Sequence, residues 1–397
     1  MKKFIAAAVL CGLLTLYFIM DGMRTNAAIA EWWVRHVQAA WEVAIGSVTS
    51  IFHLSIFELC IAALVILAVY LYVMLVISLC RKRFGAIATG LLTLGIAAAV
   101  VLDAYMLSMG FGYYRAPMPM YYAGADYDAA QAAAACEYFL NDYNELAASL
   151  ERDENGCVVC PYSFRELAKK LQEEYARLDD GYFNKYTPVA KEVVNSRLMS
   201  DTLILGITFL PTGEANVNTE AAPVEYAFTM AHELAHAKGV QREGDANLLA
   251  QYILLSSDDP FLRYCAYYDS IGSLFQSVML AGDRETYIKL SSSVDPIVKT
   301  ERAYVFDFWI SQPDVIGQIS ETFNNIYLKL NGATNGTGSY GDGNKTDVVI
   351  PIDPDTGDPV TDPDTGNPVV IPVYSSSQKI YFYLYENRPL VEPVHTP

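Results

Sequence analysis

The chain has 397 residues, 52% of them hydrophobic, with a formal net charge of −18 and a positive mean hydropathy. That balance is too apolar for an ordinary water-soluble enzyme and directs attention to long uncharged runs. Charge divides along the chain: residues 1–109 hold 7 Lys+Arg and 5 Asp+Glu, net +2, and residues 110–397 hold 20 and 40, net −20, which argues against nucleic acid or anionic lipid as a partner of the later part.

Three apolar runs follow in chain order, near 4–20, 56–80 and 85–109, the second interrupted only by Glu58. Each is long enough to be a membrane-spanning helix. Lys2 and Lys3 precede the first, and Arg81-Lys82-Arg83 join the second to the third; basic residues favour the cytoplasmic side, so residues 21–55 and everything after about 110 are expected outside a bacterial cytoplasmic membrane, facing the extracellular or periplasmic space. A cleaved leader is the alternative for the first run, with Asn26-Ala27-Ala28 as a weak small-residue site. Between the first two runs, about 30–54, Trp32, Trp33 and Trp41 alternate with charged residues, the pattern of a helix lying in the membrane interface.

Periodicity predicts helices over about 126–151, 163–178, 221–238, 243–256, 260–281 and 313–330, the second opened by a Ser163/Glu166 capping box. Residues 202–210 (TLILGITFL), closed by Pro211-Thr212-Gly213, predict a strand. The expected class is mainly α with a small β element: transmembrane helices, then an α+β exterior domain over 110–330. Residues 331–379 turn to Gly, Asp, Pro and Thr, with DPDTG at 353–357 and 362–366; an extended linker is the expectation there, with 380–397 a C-terminal segment. Cys136, Cys157, Cys160 and Cys265 fall in the exterior part. With no second CxxC or nearby histidine to complete a metal or redox site, they are read as structural disulfides or inert thiols.

The chemistry concentrates in Ala231-His232-Glu233-Leu234-Ala235-His236. A spacing of four puts His232 and His236 on one helix face, where two neutral imidazoles can hold one zinc ion, and Glu233 is offset to act as base toward water rather than as a ligand. There is no third histidine in the exterior core, so the third ligand must be a carboxylate. Gly239 can turn the chain back, and Glu243, at the start of the next helix, is the first candidate, with Asp245 as the alternative. Asn247, one turn on from Glu243, is placed to hydrogen-bond the outer nitrogen of a ligand histidine. Tyr264, Tyr267, Tyr268 and Arg263 are available as oxyanion stabilisers.

The HELAH helix followed by Glu243-x-x-Ala-Asn247 resembles the glutamate zincins, whose third ligand comes from an ExxxD or ExxAN helix. Tyr113-Tyr114-Arg115-x-Pro117, Thr212 to Asn218, HELAHxxG, EGDAN and Tyr327-Leu-Lys329 resemble more closely an uncharacterised domain-of-unknown-function family of bacterial membrane-anchored zincins, over most of 105–330. Arg242 stands where the HExxHxxGxxH zincins have their third histidine, so that ligand does not transfer. The resemblance implies a membrane-anchored zinc metallopeptidase acting on peptides or proteins, with an edge strand that pairs with extended substrate. A non-catalytic, zinc-stabilised sensor or assembly module is the competing expectation.

Overall fold

In the computed structural model of the chain, which describes residues 1–119, 127–178, 181–354, 356, 358–361, 363, 366, 368–369 and 371–388, the apolar runs are helices Lys2–Arg24, Ile56–Cys80 and Phe84–Tyr105. All three are long and apolar enough to cross a membrane, the third continuing through a π turn and a 3-10 turn to Tyr114. A Cβ on Gly85 would lie 3.0 Å from Lys3 Nζ, so the N-terminal lysines and the Arg81-Lys82-Arg83 turn share one end of the bundle. At Gly95 the missing side chain lets the third span approach Leu10 of the first, the close contact that small residues permit between membrane helices. At the opposite end Arg24 donates to Asn331 Oδ1 (2.7 Å) and to the Leu330 carbonyl (3.2 Å), tying the first of these helices to the part of the chain after residue 110.

Residues 27–49 form one helix that alternates α turns with π turns at Val34–Gln38 and Glu42–Gly46. Its buried positions recur every fourth residue: Ala30, Val34, Gln38, Glu42 and Gly46. In a pure α-helix of 3.6 residues per turn such a stripe would wind off the contact face; each π turn adds the extra residue that returns it. The face docks on the exterior domain. Trp41 donates to the Leu210 carbonyl, Thr49 to that of Thr212, and Trp33 stacks on Phe111 at 4.3 Å, whereas Trp32 is exposed. A Cβ on Gly213 (φ +67°) would come within 2.7 Å of the Gly46 backbone, so glycine is required on the turn.

The part after residue 110 is mainly helical with small sheets. Helices Ala129–Ser149, Phe164–Ala176, Pro223–Ala237, Glu243–Leu255, Pro260–Leu280 and Asp314–Leu330 occupy the segments that periodicity marks, the first two opened by capping boxes at Asp128 and Ser163; residue 126, the expected start of the first, lies outside the described residues. Helices Arg284–Ser292 and Pro296–Ile310 were not anticipated, although their Asp283 and Asp295 caps are visible signals. The strand expected over 202–210 is only Gly206–Phe209. Helix Ser196–Asp201 takes its first residues: Thr202 and Leu203 donate to Leu198 and Ser200, and Leu203 turns left-handed at φ 57°. Gly206–Phe209 is the edge of a three-stranded sheet, antiparallel to the central Glu214–Val217 with Ile207 opposite Asn216, and Lys191–Glu192 lies parallel on the far side.

The stretch read as an extended linker begins with a 3-10 helix, Gly336–Asn344, packed on Glu243–Leu255. Strands Asp347–Val349 and Ile371–Val373 then pair, with bridges Ile352 to Pro359 and Thr361 to Pro368 closing each repeat; Asp355, Gly357, Asp362, Asp364, Thr365 and Asn367 of the repeats lie outside the described residues. Helix Ser376–Glu386 re-enters the core, where Tyr381 and Phe382 are fully buried and Phe382 stacks on Tyr127 at 3.9 Å; residues 389–397 of the C-terminal segment are also outside the description. The described cysteines are all free. Burial pushes Cys136 up to about 12 and Cys157 up to about 11, which makes these two thiols inert.

Candidate metal centre

Pro223 occupies the first turn of helix Pro223–Ala237, where a missing N–H costs nothing, and every residue from Ala227 to Ala237 is buried. A helix enclosed on all sides keeps its polar side chains out of water, so each of them needs a partner. The helix stops at Gly239, whose φ of +89° lets Val240 donate back to the Ala235 carbonyl. The reversal also brings the Val240 carbonyl to 2.7 Å from His236 Nδ1 and starts helix Glu243–Leu255 with Glu243 facing the two histidines.

The two imidazoles stand edge to face, Nε2 to Nε2 at 3.0 Å, and Glu243 Oε2 lies 3.2 Å from His232 Nε2 and 3.3 Å from His236 Nε2. Their outer nitrogens are committed. His236 Nδ1 meets a carbonyl, and His232 Nδ1 meets Asn247 Oδ1 at 2.7 Å. The Asn247 amide is oriented in turn by Nδ2 donating to the Tyr340 carbonyl at 2.9 Å. Both Nδ1 atoms therefore carry the proton, and both Nε2 lone pairs point inward beside a carboxylate oxygen that has no hydrogen-bond donor. Three converging lone pairs in a buried site repel unless a cation joins them; this His/His/Glu group could hold a metal ion. Without the ion a proton substitutes. Burial opposes charge on His236, yet the adjacent Glu243 carboxylate outweighs it and raises His236 to about 9; burial would raise Glu243 too, but the two imidazoles, His236 foremost, hold it near 2.

Glu233 is fully enclosed and outside the ligand triangle, and burial raises its pKa. Its side chain lies against the edge strand, where a Cβ on Gly206 would come within 2.7 Å of Oε1, and Thr208 donates to its backbone carbonyl at 2.7 Å. Asp245, the alternative third ligand, is turned away: its carboxylate lies 4.0 Å from Arg242 and it is not one of the three convergent residues. Asn247, the expected orienter, meets the outer nitrogen of His232.

The proposed oxyanion residues are elsewhere. Tyr264 bonds Glu301 and Arg152, Tyr267 and Arg263 bond Asp142, and Tyr268 lies under Arg302. The aromatics at the centre are others. Tyr113 donates to Glu243 Oε1 at 3.5 Å and is 3.3 Å from Tyr327, and the Tyr340 ring lies over His232 at 6.1 Å. Tyr113 and Tyr327 belong to the Tyr-Tyr-Arg and Tyr-Leu-Lys motifs already singled out, but nothing in their local pattern tells a metal-site tyrosine from the other tyrosines of the chain. Tyr340 is a lone aromatic in a glycine-rich run and carries no signal.

Arg115, of the same motif as Tyr113, holds the turn behind His236. It is 2% exposed. It donates to the Gly239 carbonyl (3.1 Å), the Tyr182 carbonyl (3.0 Å) and both oxygens of Glu31 (2.8 and 3.0 Å), so Arg115 bridges the helix of residues 27–49 to the turn that ends the histidine helix.

Comparison with known families matches residues 34–344 to the one described as protein of unknown function (DUF3810), and the chain belongs to it. Neither the curated proteins nor the solved structures give a match.

Proposed function

We propose that this member of the DUF3810 family is a membrane-anchored zinc hydrolase, and that its substrates are peptides or proteins on the outer face of a bacterial cytoplasmic membrane. The observation that carries the reading is the convergence of His232 Nε2, His236 Nε2 and Glu243 Oε2 within hydrogen-bonding range of one another, each imidazole locked in the tautomer that leaves its inner nitrogen unprotonated. Two nitrogens and one carboxylate oxygen make a zinc donor set that, among the described residues, stops at three protein ligands, as hydrolytic sites do, whereas structural sites are usually closed by four. Zinc bound there supplies Lewis acidity and lowers the pKa of water.

The protein's own groups do the rest. Asn247 and the Val240 carbonyl fix the rings, and the second carboxylate, Glu233, accepts the proton from the attacking water. Its burial raises its pKa toward the range in which a base can also return the proton to a leaving amine. The edge strand Gly206–Phe209, pressed against Glu233, offers its backbone to an extended chain. The outward orientation rests on Lys2, Lys3 and Arg81-Lys82-Arg83 at one end of the spans.

The test is a peptide-library digest by the zinc-loaded full chain in detergent, beside Glu233→Gln, with zinc measured in both. Cleavage by the wild type, about 10² to 10⁴-fold lower in the variant at equal zinc content, is the expected result. A fully metallated wild type that cleaves no peptide or membrane-protein substrate would replace this reading with the zinc-stabilised sensor.

A further inference from the structure

Helix Asp314–Leu330 shows three faces. Tyr327, Leu328, Asn324 and Gly317 turn inward; Gln318, Glu321, Thr322 and Lys329 form an exposed polar strip; and Val315, Ile316, Ile319, Phe323, Ile326 and Leu330 are exposed. At 100° per residue these six fall within an arc of about 100°. Phe323, Val315 and Leu330 are each exposed by two thirds or more. A continuous apolar stripe beside a polar one, with a third face packed, is the division expected of a helix at a boundary between two solvents.

The two ends of this helix locate that boundary. At its C-terminus the Leu330 carbonyl and the Asn331 side chain accept from Arg24, at the outer end of the first span, and Asn331 also accepts from Tyr105 at 2.5 Å, at the outer end of the third. Near its N-terminus Gly317 packs on Leu203. Leu203 follows helix Ser196–Asp201, which is preceded by Val194 and Asn195; their N–H groups donate to Glu58, in the first turn of the second span, at 2.9 and 3.0 Å. The helix is thus tied at its C-terminus to the first and third spans and, through Leu203 and helix Ser196–Asp201, linked at its other end to the second. Val194 and Leu198, beside Glu58, are exposed as well.

We infer that helix Asp314–Leu330 lies in the outer leaflet boundary of the bilayer, its stripe from Val315 to Leu330 in contact with lipid acyl chains. Its inner face then sets the metal centre at the membrane surface: Tyr327 meets Tyr113, and Asn324 donates to Tyr340 at 3.5 Å. Substrates would be reached at the lipid surface rather than far above it.

The experiment places the photoreactive residue p-benzoylphenylalanine singly at Phe323, at Ile66 of the second span, and at Ile288, an exposed residue on helix Arg284–Ser292. The full chain is reconstituted in vesicles of phosphatidylcholine and phosphatidylethanolamine, irradiated and analysed by mass spectrometry. Lipid adducts at Phe323 matching those at Ile66, with loss of the adduct at Ile288, are expected. Lipid labelling at Phe323 no greater than at Ile288 would overturn the inference, as would crosslinks from Phe323 to a second copy or another protein in place of lipid. Neither readout involves zinc or hydrolysis, so the result stands apart from the proposed activity.

Discussion

The candidate metal centre and the clasp that holds it to the N-terminal helices are both made of buried charges and hydrogen bonds, but they draw on the chain over different distances. The polar partners of the two imidazoles lie within fifteen residues, Asn247 for one ring, Val240 for the other and Glu243 for both, and only Tyr113, on Glu243, comes from farther along the described chain. The clasp pairs Arg115 with Glu31, Lys191 with Glu214 and with the Thr49 and Leu54 carbonyls, Thr49 with Thr212, and Ser55 with Asn216. The three convergent side chains lie within one short stretch of sequence, whereas the clasp joins residues 31–55 to partners 84 to 163 residues away. The clasp also means that residues 27–55 belong structurally with the part after residue 110: cut off there, that part would lose Glu31 from Arg115 and expose the face that Trp41 and Gly46 cover.

Substitutions on each side separate the two. The largest expected effect on stability is from Arg115→Ala, which removes a buried cation bonded to Glu31, Gly239 and Tyr182; about 3 to 5 kcal/mol is the usual loss when one member of such a pair goes. Thermal unfolding of the full chain in detergent, followed by circular dichroism, measures it. Arg115→Lys should not restore the wild type, because one ammonium, with three N–H groups on a single nitrogen, cannot reach both Glu31 oxygens and the Gly239 and Tyr182 carbonyls as the planar guanidinium does. An unchanged unfolding temperature in Arg115→Ala would dissolve the distinction between clasp and centre.

Asn247→Ala acts in the other region. It frees the outer nitrogen of His232 without touching a ligand, so zinc affinity should fall about 10- to 100-fold while the metal-free protein unfolds almost as before; competition with a chelator reads the first and calorimetry the second. The smallest effect concerns Glu42, on the clasp. Burial raises its carboxyl to about 8 against the bonds from Gln38 and Asn184. An acid whose pKa is higher folded than unfolded stabilises below its unfolded value, 4.5, and loses that contribution as pH rises through about 8. Stability should therefore decline over that window in the wild type and decline less in Glu42→Gln, with little difference between the two near pH 5.

Much of the centre was legible because it is local. Histidines four apart fix a shared face, a glycine fixes the turn, and Glu243 and Asn247, four apart in their turn, present ligand and orienter together. The spans were legible by length alone. Other features were not, for physical reasons. Residues 202–204 are β-branched or apolar, yet helix-end hydrogen bonds claim them before the sheet can. The register of helix 27–49 depends on two π turns that no period of 3.6 anticipates. Tyr340 reaches His232 from a segment whose composition reads as linker, because a backbone carbonyl, which any residue could supply, is what Asn247 binds.

Helix Ser376–Glu386 returns to the core after the 345–375 excursion and is held there by reciprocal bonds between Ser377 and Gln251, by Gln378 on the Ser273 carbonyl, and by Tyr381 on Ser270. None of those partners is a neighbour in sequence. A protease that cut the excursion would thus leave the molecule whole in shape, its last helix a separate peptide seated beside the helix that bears Glu243. Such a nicked form would be a two-part protein, able to be taken apart by dilution and rebuilt by adding the peptide back.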